Sequence, residues 1–521
     1  MDRRAVAGGP AGSGHAGAMD DPGGAGGRPR RTKIVATVGP ASDAPATLRA
    51  MAAAGMDVAR VTLAHGTTAQ AVARVRLLRE VVPQVGVLVD LPGPKVRTAP
   101  FPDGGVTLQA GAGVVLCGAG SDGATSDAAR VGVAHAGLVQ GLRVGDRVAF
   151  GDGGVAVIVV EDGGGSPSGG GGVSVLARVV SGGVLQGRPG VAAPAGRLTL
   201  STPTAEDLDR VAVMVGEEVD AVAISFVRSA ADVTAVREAA QAAEAGRRDQ
   251  GGTLPLLVAK VETPEAVADL DSIVEVADAV MVARGDLGVR MDLPDVPHIQ
   301  KRMIRSSVRY GRPVITATQM LESMVVAPVP TRAEVSDVAN AVLDGTSAVM
   351  LSAETAVGAD PALVVSTMAR IARRAEQEFD HLGWGESLDP QQISGSPSSS
   401  ARVTAATTAA GWRAATDEGA AAIIACSRSG ATARAISRFR PPMPIVAVTP
   451  SARVARQLAL SWGVDTLVVG EAYSTDEIVW FAVQAAVRAG YASPGDVVVV
   501  LAGSPIDPEP TTDTLRLVRI R

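Results

Sequence analysis

Lysine is almost missing from this chain. Of its 521 residues, 48 are Lys or Arg, yet only four are lysines: Lys33, Lys95, Lys260 and Lys301. Wherever a plain positive charge suffices the sequence uses arginine, so each remaining lysine marks a place where a compact ammonium does what a planar guanidinium cannot. Aromatic residues are also scarce, 2% against a hydrophobic fraction of 46%, so the cores must be built from Val, Ala, Leu and Ile. The two cysteines, Cys117 and Cys426, are too few and too far apart for a disulfide framework or a cysteine-ligated metal, which fits a reducing cytoplasm. No apolar run approaches the ~20 residues that span a bilayer, and no membrane partner is expected. The net charge of −6 is mild, and the one basic block, Arg28, Arg30 and Arg31, leaves no footprint for nucleic acid.

The length suggests about two to four domains. Residues 1–30 are Gly/Ala/Pro-rich without an apolar signal region and read as a disordered tail. From Thr32 short β-rich runs alternate with helical stretches: T-K-I-V-A-T-V, D-V-A-R-V-T-L, G-V-L-V-D-L, D-A-V-A-I-S-F, P-L-L-V-A-K-V, A-V-M-V-A-R, P-V-I-T-A-T and A-V-M-L-S. These eight runs are nearly continuously apolar, as strands buried on both faces must be. They predict an α/β fold of the (β/α)8 TIM-barrel class over 31–98 and 196–387. Between the third and fourth runs, 99–195 is Gly- and Val-rich with little helical period, and is expected to be an all-β lid domain inserted beside the active face. A Pro/Gly/Ser linker at 388–400 precedes a C-terminal open α/β domain at 401–521, where four further β runs are readable.

Polar residues gather where each barrel run ends: Thr37, Arg60, Asp90 with Lys95 and Arg97, Ser225 with Arg228, Lys260 with Glu262, Arg284 with Asp286, Thr318 with Gln319, and Ser352 with Glu354. The carboxyl ends of all barrel strands meet on one face, where active sites of this architecture sit. Lys260 is the sharpest of these. It lies in L-V-A-K-V-E-T, two residues before Glu262, and the next run ends in V-A-R-G-D at Asp286. A point cation beside two carboxylates suits a divalent metal held against a phosphoryl group. The plainer alternative is a Lys–Glu ion pair on a strand edge.

The stretches T-K-I-V-A-T-V-G-P-A-S, G-P-K-V-R-T, A-K-V-E, M-V-A-R-G-D-L-G, T-A-T-Q-M-L-E-S-M and P-T-R-A-E-V-S-D-V-A-N-A-V-L-D-G together resemble the pyruvate kinase family from about Thr32 to the C-terminus. The resemblance implies transfer of the phosphoryl group of phosphoenolpyruvate to ADP, giving pyruvate and ATP, the last step of glycolysis. It implies Glu262 and Asp286 as ligands of Mg²⁺ (or Mn²⁺), Lys260 as the cation stabilising the phosphoryl group in flight, and Arg60 as its phosphate-gripping partner. Gly285 and Asp286 would hold the substrate carboxylate through backbone N–H groups, with Ser225 beside them. Thr318 would position a water near the enolate carbon, or merely cap the next helix. Arg97, Thr37 and His65 would lie at the nucleotide phosphates, although His65 has no evident role in the chemistry and also reads as structural. The family is usually a cytoplasmic homotetramer and places sugar-phosphate effectors on a loop like C-S-R-S-G-A-T, here Ser427, Ser429, Gly430 and Thr432. That loop also reads as an ordinary helix N-cap.

Several positions depart from the family pattern. Thr62, Ala64 and Leu91 replace side chains that surround a K⁺ ion in many members, and Lys95 stands where those members carry glutamate. Lys95 is therefore expected to be an internal cation that replaces K⁺ beside Asp90. Pro189 stands in place of a nucleotide-contacting lysine, with Arg188 beside it, and Arg290 in place of a glutamate. These changes leave two rival readings: a non-catalytic regulatory paralogue, or a metal-dependent, pyruvate-utilising barrel aldolase. The aldolase has no use for the lid, Lys95 or the C-terminal domain.

Overall fold

The computed structural model describes residues 30–521 except 119–124, 152, 162–172, 195–196, 198–199, 247–252, 389–398, 472–473 and 504–510. The tail up to residue 29, the Gly/Ser-rich turn at 163–172, most of the linker and the acidic loop at 504–510 lie outside the described residues. Arg30, assigned to the tail, belongs to the barrel instead. Its Nη2 donates to Asp57 Oδ2 at 2.8 Å, and a cation anchored this way is ordered with the fold.

The eight predicted barrel strands all form. They are Lys33–Thr37, Val58–Thr62, Gly86–Asp90, Ala221–Ile224, Leu256–Val261, Ala279–Ala283, Val314–Ala317 and Ala348–Leu351. All neighbours pair in parallel and the first strand closes onto the eighth. Alternate residues point inward, and the inner layer is Val35, Val58, Leu88, Ala223, Val258, Met281, Ile315 and Met350 with their neighbours. The outward residues pack under the surrounding helices in a second, larger core. A chain so poor in aromatics fills both layers with aliphatic side chains, and deleting one, as in Leu88→Ala, is expected to cost ~2–5 kcal/mol.

The inserted domain has a six-stranded sheet in the spatial order Val191–Ala192, Arg147–Phe150, Val155–Glu161, Ser174–Ser181, Gly113–Gly118 and Arg130–Val133, with Gly183–Leu185 and Val106–Leu108 paired apart. It is not purely β. A short helix, Ala136–Gly141, buries Leu138 and Val139 against the sheet. Six residues are too few to show a helical period.

The C-terminal sheet runs Val464–Val468, Ile445–Thr449, Ala422–Cys426, Val497–Ala502 and Thr514–Arg519. Its last strand is antiparallel to its neighbour and went unread. It is an edge strand carrying Arg516 and Arg519, with few buried side chains, so it lacks the apolar run that marks the other four.

This domain covers the amino end of the barrel. Leu460 packs into the bottom of the inner layer, and Lys33 Nζ donates to Val464 O at 2.9 Å. The Arg440 guanidinium lies 4.7 Å from the Trp462 ring and 5.6 Å from Trp384 while donating to Gly345 O of the barrel. With that end sealed, the opposite carboxyl end faces the inserted domain, and there the reactive groups collect.

Candidate active site

Asp90, the last residue of the third strand, is the hub of the carboxyl face. Arg60, its neighbour on the second strand, approaches Asp90 Oδ2 with Nη2 at 2.6 Å and Nε at 2.8 Å. On the other side Lys260 Nζ lies 3.4 Å from Asp90 Oδ1, and the Ser225 hydroxyl donates to the same oxygen at 3.3 Å. Lys260 Nζ also donates to Ser225 Oγ at 2.6 Å and lies 3.6 Å from Glu262 Oε2. Burial opposes the Asp90 charge, but Lys260 and then Arg60 outweigh it and hold the carboxyl below the ordinary range. Burial likewise opposes the Lys260 charge, and Asp90 and Glu262 outweigh it, so the ammonium is kept protonated.

Glu262 behaves differently. It is fully buried, and its Oε1 accepts the Phe226 N–H at 2.6 Å. Its Oε2 is buried without a hydrogen-bond partner. Burial pushes this carboxyl up to about 7; Lys260 eases the shift and Asp286 adds to it. A buried carboxylate with an unfilled oxygen, close to a second carboxylate, is short of positive charge. Among the described residues no group of three or more His, Cys, Asp or Glu side chains could hold a metal. Glu262 and Asp286 offer carboxylate oxygens, the donor type that a hard cation such as Mg²⁺ takes together with water or substrate oxygens.

Backbone strain flanks this cluster. Phe226, Thr318 and Gln319 all have positive φ, 57°, 69° and 55°, a costly conformation for a β-branched residue such as Thr318. Arg284 holds the Thr318 segment in place. Its Nη2 donates to Thr318 O at 2.7 Å, its Nε to Ala317 O at 3.2 Å, and its Nη1 is paired with Asp337 at 2.6 Å. A cleft of about 340 Å³ opens beside Asp286, between the barrel end and the inserted domain.

Two comparisons bear on this arrangement. The family model described as "Pyruvate kinase, barrel domain" matches residues 29–365, and "Pyruvate kinase, alpha/beta domain" matches 405–518. Among curated relatives, the "Pyruvate kinase" of Clostridium acetobutylicum is 37% identical over 493 residues, covering 94% of this chain and 99% of the relative. That of Methylorubrum extorquens is 38% identical over 498 residues, covering 94% and 97%. "Pyruvate kinase 2" of Synechocystis is 39% identical over 495 residues, covering 94% and 79%. The chain belongs to the pyruvate kinase family.

Within this pyruvate kinase fold, Arg60, Ser225, Lys260 and Glu262 converge with Asp90 as one bonded cluster, and Asp286 and Thr318 lie at its rim. Thr37 is not exposed to a nucleotide. Its buried hydroxyl donates to Leu351 O at 2.8 Å and accepts from Arg60 Nη1 at 3.0 Å, so it positions Arg60. The Gly285 N–H, expected at the substrate carboxylate, donates instead to Thr318 Oγ1 at 2.8 Å. Glu354 is buried and accepts the Leu321 and Ser352 N–H groups, a structural role at a strand end read as reactive. Arg97 Nη1 donates to Arg188 O at 3.1 Å, beside the isolated bridge between Arg97 and Gly190. His65 is exposed near Arg97, Lys95 and Arg60. Burial first, then these three cations, lower its pKa.

Lys95 is exposed on the cleft wall. Asp90, beside which Lys95 was expected, is already paired with Arg60 and Lys260. On the C-terminal turn the Ser427 N–H donates to Val448 O, the Thr432 hydroxyl is buried against Thr512 at 2.7 Å, and the Ser429 carbonyl accepts from Arg434 at 3.1 Å. No side chain caps the helix that follows Gly430.

Sequence reasoning missed two functions here. One is the clamp from Arg284 to Thr318, for which the strand-end arginine was the available signal. The other is the Asp90 hub, hidden because three separate strands supply its partners.

Proposed function

We propose that this family member is a Mg²⁺-dependent kinase that transfers the phosphoryl group of phosphoenolpyruvate to ADP at the Arg60–Asp90–Lys260–Glu262 cluster, with Asp286 completing the metal site. The observation that carries this reading is the buried Lys260 ammonium, 3.6 Å from a Glu262 whose Oε2 has no hydrogen-bond partner. Glu262 and Asp286 would hold a Mg²⁺ ion, which would supply positive charge beside the phosphoryl oxygens. Asp90 and Ser225 hold Lys260 charged and aimed, so its field is already oriented when negative charge develops on the phosphoryl oxygens and then on the enolate. Arg60, locked by Asp90 and Thr37, grips the phosphate from the other side.

In the step itself a bond forms between phosphorus and an oxygen of the ADP β-phosphate, while the bond from phosphorus to the enolpyruvate oxygen breaks. The enolate then takes a proton from water. Thr318 cannot be that acid at its own pKa. Its hydroxyl donates to Ala317 O and accepts the Gly285 N–H, which leaves one lone pair to accept from a water and orient it. Activity independent of K⁺ follows from the same cluster. Leu91 is buried and apolar, Ala64 has no side-chain oxygen, and both Asp90 oxygens already face fixed cations. A cytoplasmic homotetramer and a sugar-phosphate effector on the Ser427–Thr432 turn complete the proposal, on family grounds alone.

The test is pyruvate formation by the purified protein. Turnover should require phosphoenolpyruvate, ADP and a divalent cation together. Pyruvate released without ADP, or none with all three present, would reject the reading.

A further inference from the structure

We propose that Arg290, with Lys95 and Arg228, grips the phosphates of the nucleotide acceptor in the cleft between barrel and inserted domain. This rests on the phosphotransfer reading above and adds to it the residue that sets nucleotide affinity. On the carboxyl face Arg60 is neutralised by Asp90 and Arg284 by Asp337. The cleft is different. Lys95, Arg228 and Arg290 reach its wall from three separate segments, and among the described residues their charged groups make no ion pair or hydrogen bond. Its carboxylates are Asp286, committed to the metal, and Glu265. Three free cations around about 340 Å³ suit an anion bearing more than one phosphate, and the volume is that of a small-ligand site.

Arg290 is built for this use. It lies four residues after Asp286 on the helix Arg284–Arg290, so both side chains share one face, toward the cleft. Its guanidinium lies 5.2 Å from the Phe226 ring centroid. Stacking fixes the plane of the group and leaves its N–H donors free for phosphate oxygens. The inserted domain shapes the opposite wall. A Cβ at Gly190 would stand 2.7 Å from Lys95 Cε, so glycine there lets the lysine stem lie against the lid. Gly153 approaches Val289 closely enough that a Cβ would stand 3.0 Å from Cγ2, which seats a lid turn on the helix beside Arg290. Arg97, expected at the nucleotide, does not line this cleft and spends one N–H on the Arg188 carbonyl, and Pro189 offers no charge.

The experiment compares wild type with Arg290→Met, Arg290→Lys and Arg290→Glu. Steady-state kinetics give KM for each substrate, and calorimetric titration with Mg·ADP in the absence of phosphoenolpyruvate reads binding directly. Arg290→Met keeps the contact with Phe226 and removes the charge. It should raise KM for ADP and the calorimetric Kd about tenfold, the scale of one charge-assisted contact, with KM for phosphoenolpyruvate and kcat moving less than twofold. Arg290→Lys should recover most of the affinity, and Arg290→Glu should lose more than Met does. An unchanged ADP affinity in Arg290→Met overturns the proposal. So does a loss confined to kcat and Mg²⁺ affinity, because Arg290 would then act through Phe226 on Glu262. If wild type makes no ATP yet binds Mg·ADP in an Arg290-dependent way, the phosphotransfer reading falls and the cleft assignment stands.

Discussion

Replacing Glu262 by glutamine, or simply lowering the pH, should reveal how the metal site is charged. In the metal-free protein the Glu262 carboxyl is pushed up to about 7 from an ordinary 4.5, and a divalent cation must displace that proton to bind. At pH 8 the carboxylate is already ionised; at pH 6 about nine in ten molecules carry the proton. Apparent Mg²⁺ affinity should therefore fall about tenfold from pH 8 to pH 6, whereas an ordinary carboxylate would change it by only a few per cent over that range. The assay is calorimetric titration of the metal-free protein with Mg²⁺ or Mn²⁺ at pH 6, 7 and 8, with ionic strength fixed. Glu262→Gln should bind more weakly throughout and lose the pH dependence.

Stability follows the same proton. Because the folded value lies above the unfolded one, this group's contribution is fully present below about pH 4.5 and is lost as pH rises through about 7. Metal-free protein should gain more melting temperature from Mg²⁺ at pH 8 than at pH 6. A metal affinity flat from pH 6 to 8 would refute the charge assignment.

Two further outcomes are expected. Ser225→Ala removes the hydroxyl between Lys260 and Asp90, a charge-assisted bond of ~1.5–3 kcal/mol. It should lower kcat by about 10- to 100-fold with little change in KM for phosphoenolpyruvate, and the Lys260→Ala/Ser225→Ala double variant should be no slower than Lys260→Ala alone; additive losses would mean that Ser225 does not act through Lys260. The rate against KCl, balanced with a bulky organic cation, should be flat, and strong K⁺ activation would contradict the reading of Leu91, Ala64 and the Asp90 cluster.

The barrel was legible because a strand buried on both faces must be apolar throughout, and Leu256–Val261 or Ala279–Ala283 cannot easily be anything else. The site was legible to the same depth, since polar side chains can interrupt such strands only at their ends. What failed depended on partners. Thr37 and Glu354 stand at strand ends like Lys260 does, yet the first is bonded to Leu351 and Arg60 and the second to two backbone amides, and no local pattern separates these cases. Lys95 looked like the natural partner of Asp90 because it follows five residues later, whereas Arg60 and Lys260 reach Asp90 from strands 30 and 170 residues away. Arg290 stood out only as an oddity of charge until the cleft placed it beside Lys95 and Arg228. The edge strand Thr514–Arg519 and the helix Ala136–Gly141 escaped because one is too exposed and the other too short to carry a period.

The central claim is that the buried Lys260 ammonium, held by Asp90, Ser225 and Glu262, stabilises the phosphoryl group as it moves. The most direct test is kcat of Lys260→Ala at saturating phosphoenolpyruvate, ADP and Mg²⁺, with phosphoenolpyruvate binding measured alongside. The loss should reach several orders of magnitude with binding nearly intact, and Lys260→Arg should rescue poorly because a planar fork does not fit a point-charge site. A Lys260→Ala enzyme keeping more than about a tenth of wild-type kcat, a barrier change under ~1.4 kcal/mol, would contradict it.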